Sequence, residues 1–277
     1  MTRGLATRFG NARVLNQSSP LSDEQLYKIA PSIFAQEKHD SRSERYTYIP
    51  TIEVLDGLRN EGFFPFMAAQ SRTRIEGKEE YTKHMIRLRK ADMITGDEAN
   101  EIVLINSHDG TSSYQMLAGL FRFVCQNGMV TGDTVEDIRI SHRGNIVNNV
   151  IEAAYEIIDN FDDVNESIEN MKSTQLLLPE ARAYAEAALS LKYDEDEAPI
   201  RAEQLLFPKR YSDSNKNDMW TTFNKVQENI MKGGLRGYNK KGSRVSTRAV
   251  NSIDNNVKLN RALWILADKM IEFKKGN

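Results

Sequence analysis

With 277 residues, the chain is long enough to bury a core without disulfides or metals, and its composition is that of an ordinary globular protein. The 37 basic and 39 acidic residues leave a net charge of -2, so any attraction for nucleic acid must come from segregation of charge within the fold. One cysteine, Cys125, excludes an intramolecular disulfide, the opening MTRGLATRFG lacks the apolar stretch of a signal peptide, and no run approaches the roughly 18 apolar residues of a membrane helix. A cytoplasmic setting with no membrane partner is the expectation.

Charge is segregated along the chain. Seven Lys or Arg residues lie between Gln70 and Lys90, and six more lie between Lys232 and Arg248 with no acid among them. The stretch from Glu152 to Asn170 carries seven acids and no Lys or Arg.

In chain order, residues 1–20 read as a polar arm with scattered Arg. Ser22 and Gln25 form a capping box flanked by Leu21 and Leu26, and Pro31 stops the helix soon afterwards. A polar loop follows from Gln36 to Arg45. Ile52, Leu55 and Leu58 then mark a short amphipathic helix closed by Gly62. From Phe63 the period becomes that of strands, with Phe64 to Ile75, Tyr81 to Lys90, Glu101 to Ser107 and Phe121 to Cys125 as members. Gly77 and Gly96 punctuate them, while Asp109-Gly110 and Asn127-Gly128 suit two-residue hairpin turns. Ser112 to Gly119 fits either a strand or a short helix.

After His142 the pattern turns helical. Apolar positions from Ile146 to Ile168 recur at steps of three and four, predicting one long helix with an acidic outer face. Ala181 to Leu191 predicts a second helix, and 194–197 and 208–217 read as exposed linkers. Met219, Trp220, Phe223, Val226 and Ile230 predict a third, ended by Gly233 and Gly234. The basic segment 232–248 reads largely as a mobile loop, and Ile253 to Ile271 as a final helix. The fold class is α+β, an antiparallel sheet backed by helices with a helical C-terminal region. The expected divisions are a polar arm at 1–20, a core at 21–173 and the helical region at 174–277.

Alternation over Tyr81 to Lys90 places Lys83, Arg87 and Arg89 on one side of a strand and His84, Ile86 and Leu88 on the other. With Arg72 and Arg74 on the preceding strand, these residues could form a cationic stripe along a phosphate backbone, where counterion release drives binding. The alternative is a solvated face balanced by Glu76, Glu79 and Glu80. Lys232, Arg236, Lys240, Lys241, Arg244 and Arg248 form a second basic group without local acids, and such loops often order on a polyanion. Tyr46, Tyr48, Tyr81 and Phe121 are candidates for base stacking.

Catalytic readings are weaker. His84, His108, His142, Asp109 and Cys125 match no standard metal-ligand spacing, and Asp109 with Glu101 makes a poor nuclease pair because Asp109 is explained by a turn. Cys125 sits among apolar residues, as a buried thiol would. MKGGLRG lacks the Gly-Lys-Ser/Thr of a phosphate loop, so no nucleotide cofactor is implied.

The segments SRSERYTYIPTIEVL, EYTKHMIRLRK, LINSHDGTSSYQML, FRFVCQNG, SHRGN and SIDNNVKLNRALW resemble an uncharacterised bacterial family, domain of unknown function 932. Its members are called phage/plasmid-like proteins and occur on conjugative plasmids and prophages. That resemblance implies no catalytic residues. The order of a YTYIP-type segment entering a helix, then antiparallel strands, then a long helix at Ile146 is similar to the core of the Rad-fifty-two superfamily of single-strand annealing proteins. Those form rings or filaments and hold single strands in a basic groove without ATP. The resemblance implies a homo-oligomer that binds and anneals single-stranded DNA in plasmid or phage recombination. A metal-dependent nuclease using His108, Asp109 and His142 is one alternative; an anti-restriction or other anti-host protein is another, although DNA mimics of that kind are usually far more acidic.

Overall fold

The computed structural model describes residues 12–36, 50–90, 94–95, 98–109, 112–123, 127–132, 138–140, 145–194 and 197–276. Its fold is α+β, and the chain divides into two compact units. The described residues of 12–130 and 138–161 make the first, and those of 162–276 with 131–132 make the second.

The first unit is built on an antiparallel sheet of β1 (Ala12–Asn16), β2 (Phe64–Ser71), β3 (His84–Arg89), β4 (Ile94–Thr95), β5 (Glu98–Asn106), β6 (Tyr114–Arg122), β7 (Asn127–Val130) and β8 (Ile138–Ile140). The strand order is β1-β2-β3-β5-β6-β7, with β4 beside β5 and β8 beside β6. Helices α1 (Asp23–Ile29), α2 (Thr51–Asn60) and α3 (Ile146–Asp159) complete it, and α3 packs on α2 and β6. In α2, Val54, Leu55 and Leu58 repeat at helical spacing and are fully buried. Gly62, at φ 88°, takes the left-handed turn that lets the chain enter β2. The capping box at α1 forms as its sequence predicts, with Gln25 N donating to Ser22 Oγ and Ser22 N donating to Gln25 Oε1.

Several boundaries differ from the sequence reading. Residues 12–16, read as part of an arm, form edge strand β1, because their backbone pairs with Met67 to Ser71 of β2. Segment 112–119 enters the long strand β6 at Tyr114, buried on both faces and paired along β5. Asn127 and Gly128 lie within β7, opposite Arg122 and Phe121, rather than forming a turn themselves. The connection between β5 and β6 runs from Ser107 to Ser113, longer than a two-residue turn, and Gly110 lies outside the described residues. The expected long helix is interrupted at Asn160, whose amide bonds back to the Ile157 carbonyl, and a second helix begins at Phe161.

The second unit contains α4 (Phe161–Ser173, from Asp162 onward), α5 (Leu178–Lys192), α6 (Met219–Lys232) and α7 (Ile253–Lys275). It also carries the hairpin of β9 (Arg236–Tyr238) and β10 (Arg244–Ser246). Trp220 stacks on Phe223 at 5.6 Å, and both meet Trp264 of α7 edge-on. Polar bonds lock this core in register: Gln227 Nε2 donates to Asn260 Oδ1 at 2.8 Å, and the Tyr184 hydroxyl to the Leu263 carbonyl at 3.0 Å. No helix among the described residues is long and apolar enough to cross a membrane.

Candidate nucleic-acid interface

The two basic groups have different fates. Arg87 and Arg89 share a face of β3, as alternation requires, but that face is covered and both are buried, with only 3% and 1% exposure. Register explains why. Central strand β3 lies between β2 and β5, and Glu101 of β5 lies on the same face as both arginines. Arg89 Nε donates to Glu101 Oε1 at 2.7 Å, and Arg87 Nε donates to Oε2. Arg87 also donates to the Leu120 and Met129 carbonyls. Gly119 and Gly128 make room for it, since a Cβ at Gly128 would lie 2.6 Å from Arg87 Cζ. The Arg89 guanidinium lies 3.9 Å over the Phe121 ring and 4.6 Å over Phe66. Burial lowers the Arg89 pKa from its usual value, against the opposing pull of Glu101. The solvent-facing placement of Arg87 and Arg89 is therefore corrected: they form an internal ion trio.

Arg72 and Arg74 are exposed but follow the end of β2 at Ser71, in a loop rather than on a strand. Lys83 is half-buried just before β3. The five residues thus make no continuous stripe. Arg74 instead borders an open cleft of about 730 Å³ with Arg13, Lys28, Glu76, Glu79 and Glu80, where both signs of charge mingle. Arg13 pairs with Glu79 across it at 3.4 Å.

His84 and His108 serve packing. His84 and His108 are fully buried with ring centroids 5.5 Å apart. Gln70 Nε2 donates to the Glu79 carbonyl, which turns Gln70 Oε1 toward Ser32, and the Ser32 hydroxyl donates to it at 2.7 Å. Ser32 Oγ must then accept from His84 Nδ1 at 2.8 Å. In the neutral ring Nε2 accepts from the Thr51 hydroxyl at 3.0 Å. Burial, reinforced by the neighbouring His108, holds His84 well below its usual pKa and so keeps it neutral. Thr51 Oγ1 also accepts from Asn106 Nδ2 at 3.1 Å and lies 3.3 Å from His108 Nε2. Asp109, expected at an exposed hairpin tip, is buried and pairs with Lys78 at 3.2 Å. His142, Cys125, Tyr46 and Tyr48 lie outside the described residues. Phe121 is buried against Arg89, and Tyr81 is half-buried. Among the described residues, no group of three or more His, Cys, Asp or Glu could hold a metal ion.

The second basic group is displayed. Residues read as a mobile loop form the β9–β10 hairpin, in which Arg244 pairs with Tyr238 and Ser246 with Arg236. These four share the outward face, while Gly237 and Val245 point inward. The connection is closed by Gly242 at φ 73° and by Asn239 Oδ1, which accepts from the amides of Lys241 and Ser243. The hairpin is fastened at its root. Tyr238 N donates to the Pro199 carbonyl at 2.8 Å, and a Cβ at Gly237 would collide with that oxygen. Buried Lys192 of α5 donates to the carbonyls of Ile230, near the end of α6, and Arg248, at 2.6 and 2.7 Å. Burial lowers the Lys192 pKa to about 8.

Arg236, Lys241, Arg244 and Arg248 are exposed, and none forms an ion pair among the described residues. Lys240 is 3.7 Å from Glu197, and Lys232 bonds Glu228 at 3.0 Å, so these two have acidic partners the sequence reading did not see. Tyr238, which sequence reasoning missed, stands among the arginines at 58% exposure. Its signal was the alternation Arg-Gly-Tyr facing Arg-Val-Ser around a short loop containing Gly242.

Residues 38–264 match the family described as Domain of unknown function (DUF932). The chain belongs to this family. It is 53% identical over 271 residues to the UPF0380 protein YafZ of Escherichia coli (strain K12), covering 98% of each chain. It is 52% identical to UPF0380 protein YfjQ of the same organism over the same span. No solved structure matches. Both relatives extend over nearly the whole DUF932 member, so the sheet and the basic hairpin fall within the shared length.

Proposed function

We propose that this DUF932 protein binds single-stranded DNA without sequence preference and anneals complementary strands as a homo-oligomer, in the cytoplasm of cells carrying a plasmid or prophage. The observation carrying the reading is the β9–β10 hairpin, a fastened projection whose outward face holds Arg236 and Arg244, with Lys241 and Arg248 beside it and no acidic partner for any of the four among the described residues. Cations in such an array release counterions from a phosphate backbone and need no base-edge contacts. No recognition helix of a duplex reader supplies those cations; Arg236 and Arg244 stand on a short two-stranded ribbon, with Lys241 in its connection and Arg248 just beyond it. Annealing and the oligomer come from the similarity to Rad-fifty-two-like proteins, and the mobile-element setting comes from the resemblance to phage/plasmid-like proteins.

The nuclease alternative needs His108, Asp109 and His142 on one ion. Against it, His108 is engaged with Thr51 and Asp109 with Lys78. A gel-shift titration with single- and double-stranded oligonucleotides at two salt concentrations tests the binding, and the rate at which two complementary strands pair tests the annealing. Micromolar binding to single strands, weakened by salt, with faster pairing supports the reading; DNA cut in Mg²⁺ or Mn²⁺ favours the alternative.

A further inference from the structure

The outward face of the hairpin is not uniformly cationic. Tyr238 stands at its loop end, directly opposite Arg244 and two residues along the same strand from Arg236. Residues two apart on a strand lie about 7 Å apart on one face, and directly paired residues about 5 Å, so Arg236 along the strand and Arg244 across it are the nearest cationic positions to Tyr238 on that face. Its side chain makes no hydrogen bond or ring contact with any described residue. An open hollow of about 520 Å³ is lined by Arg236, Gly237, Tyr238, Arg244, Val245 and Ser246. That volume is within the range of small-molecule sites and accommodates a flat heterocycle.

The platform is held in place before any ligand arrives. Gly237 abuts the Pro199 carbonyl, the Tyr238 amide donates to the same oxygen, and at the root of the ribbon the Gly234 amide donates to the Thr247 carbonyl and the Thr247 amide to the Leu235 carbonyl. An aromatic ring presented on an ordered support costs little further entropy to engage. An exposed aromatic with one arginine along its strand and another across the ladder suits a ligand that alternates π-faces with negative charges, as a single nucleic acid strand does.

We infer that Tyr238 is a stacking platform for one unpaired nucleobase, with Arg236 and Arg244 holding the phosphates that flank it. The inference rests on the proposed single-strand binding and adds the source of its discrimination. A paired base in duplex DNA offers no free face to the ring, whereas an unpaired base stacks at once. Stacking is tolerant of sequence, because every base has a π-face.

The test is fluorescence anisotropy with labelled oligodeoxythymidylate and an abasic oligonucleotide of equal length, using wild type, Tyr238→Ala and Tyr238→Phe. Thermal melting checks that each variant keeps the wild-type fold. Wild type is expected to prefer the base-bearing strand by roughly ten-fold, within the range for losing one base–aromatic stack. Tyr238→Ala should lose that preference while binding the abasic strand as wild type does, and Tyr238→Phe should keep it. If Tyr238→Ala retains the wild-type preference, the stacking role is overturned while single-strand binding stands. If wild type binds neither oligonucleotide at low salt, the single-strand reading falls as well.

Discussion

Arg87 and Arg89 present their Nε atoms to different oxygens of one carboxylate, so Glu101 is what allows two guanidiniums to share the interior. Glu101→Gln would leave both charges buried and facing each other. Breaking a buried ion pair from one side typically costs about 3–5 kcal/mol, and a loss of this size in urea unfolding is the expected outcome. Arg72→Glu, at an exposed loop position, should change stability by no more than about 0.5 kcal/mol. Gly128→Ala tests the same centre sterically: the added methyl meets the Arg87 guanidinium, which is hydrogen-bonded and unable to swing aside, so a loss of about 1–3 kcal/mol is expected in the same measurement. Alternation in the sequence grouped Arg87 with Arg89 correctly. It could not show that their face was closed, because the closing acid is 12 residues further along the chain from Arg89 and the phenylalanine under the guanidinium comes from β6. An acid at Glu101, leading into the apolar run Ile102 to Ile105, was the available hint.

At the scale of elements, the buried cluster joining Ser32, the start of α2 and strands β3, β5 and β6 is built around a neutral His84. Its folded pKa lies below the ordinary 6.5, so the unfolded chain takes up the proton first as pH falls. The stability His84 contributes is therefore complete above about pH 6.5 and declines below it. Urea midpoints measured from pH 8 to pH 5 should fall in wild type. They should fall less steeply in His84→Asn, which begins less stable but carries one fewer buried group to protonate. The hairpin makes a second prediction. Gly237→Ala should lift it from Pro199, so the Tyr238 amide would exchange its hydrogen much faster than in wild type while the α6 amides keep their protection. Long helices and core strands were legible from their apolar period. This hairpin was not, because its strands are three residues each and its inward positions are Gly237 and Val245, too short a pattern for periodicity to register. Its order comes from contacts with Pro199 and Lys192, which no local pattern encodes.

For the whole molecule, charge segregation survives the correction of the basic strand but moves to a different element. With a net charge of -2, the DNA binding we propose would have to arise locally, and the hairpin is the site we propose for it; such binding should respond to salt. The slope of log affinity against log salt for a single strand is roughly -0.7 per phosphate neutralised. The most direct test of the central claim is that slope, measured with one single-stranded oligonucleotide on wild type and on Arg236→Ala/Arg244→Ala. The hairpin account predicts low-salt binding at micromolar protein, and a slope shallower by roughly 1.4 in the double variant, the share of two lost phosphate contacts. Identical affinity and slope for the two proteins, both folded, would contradict it.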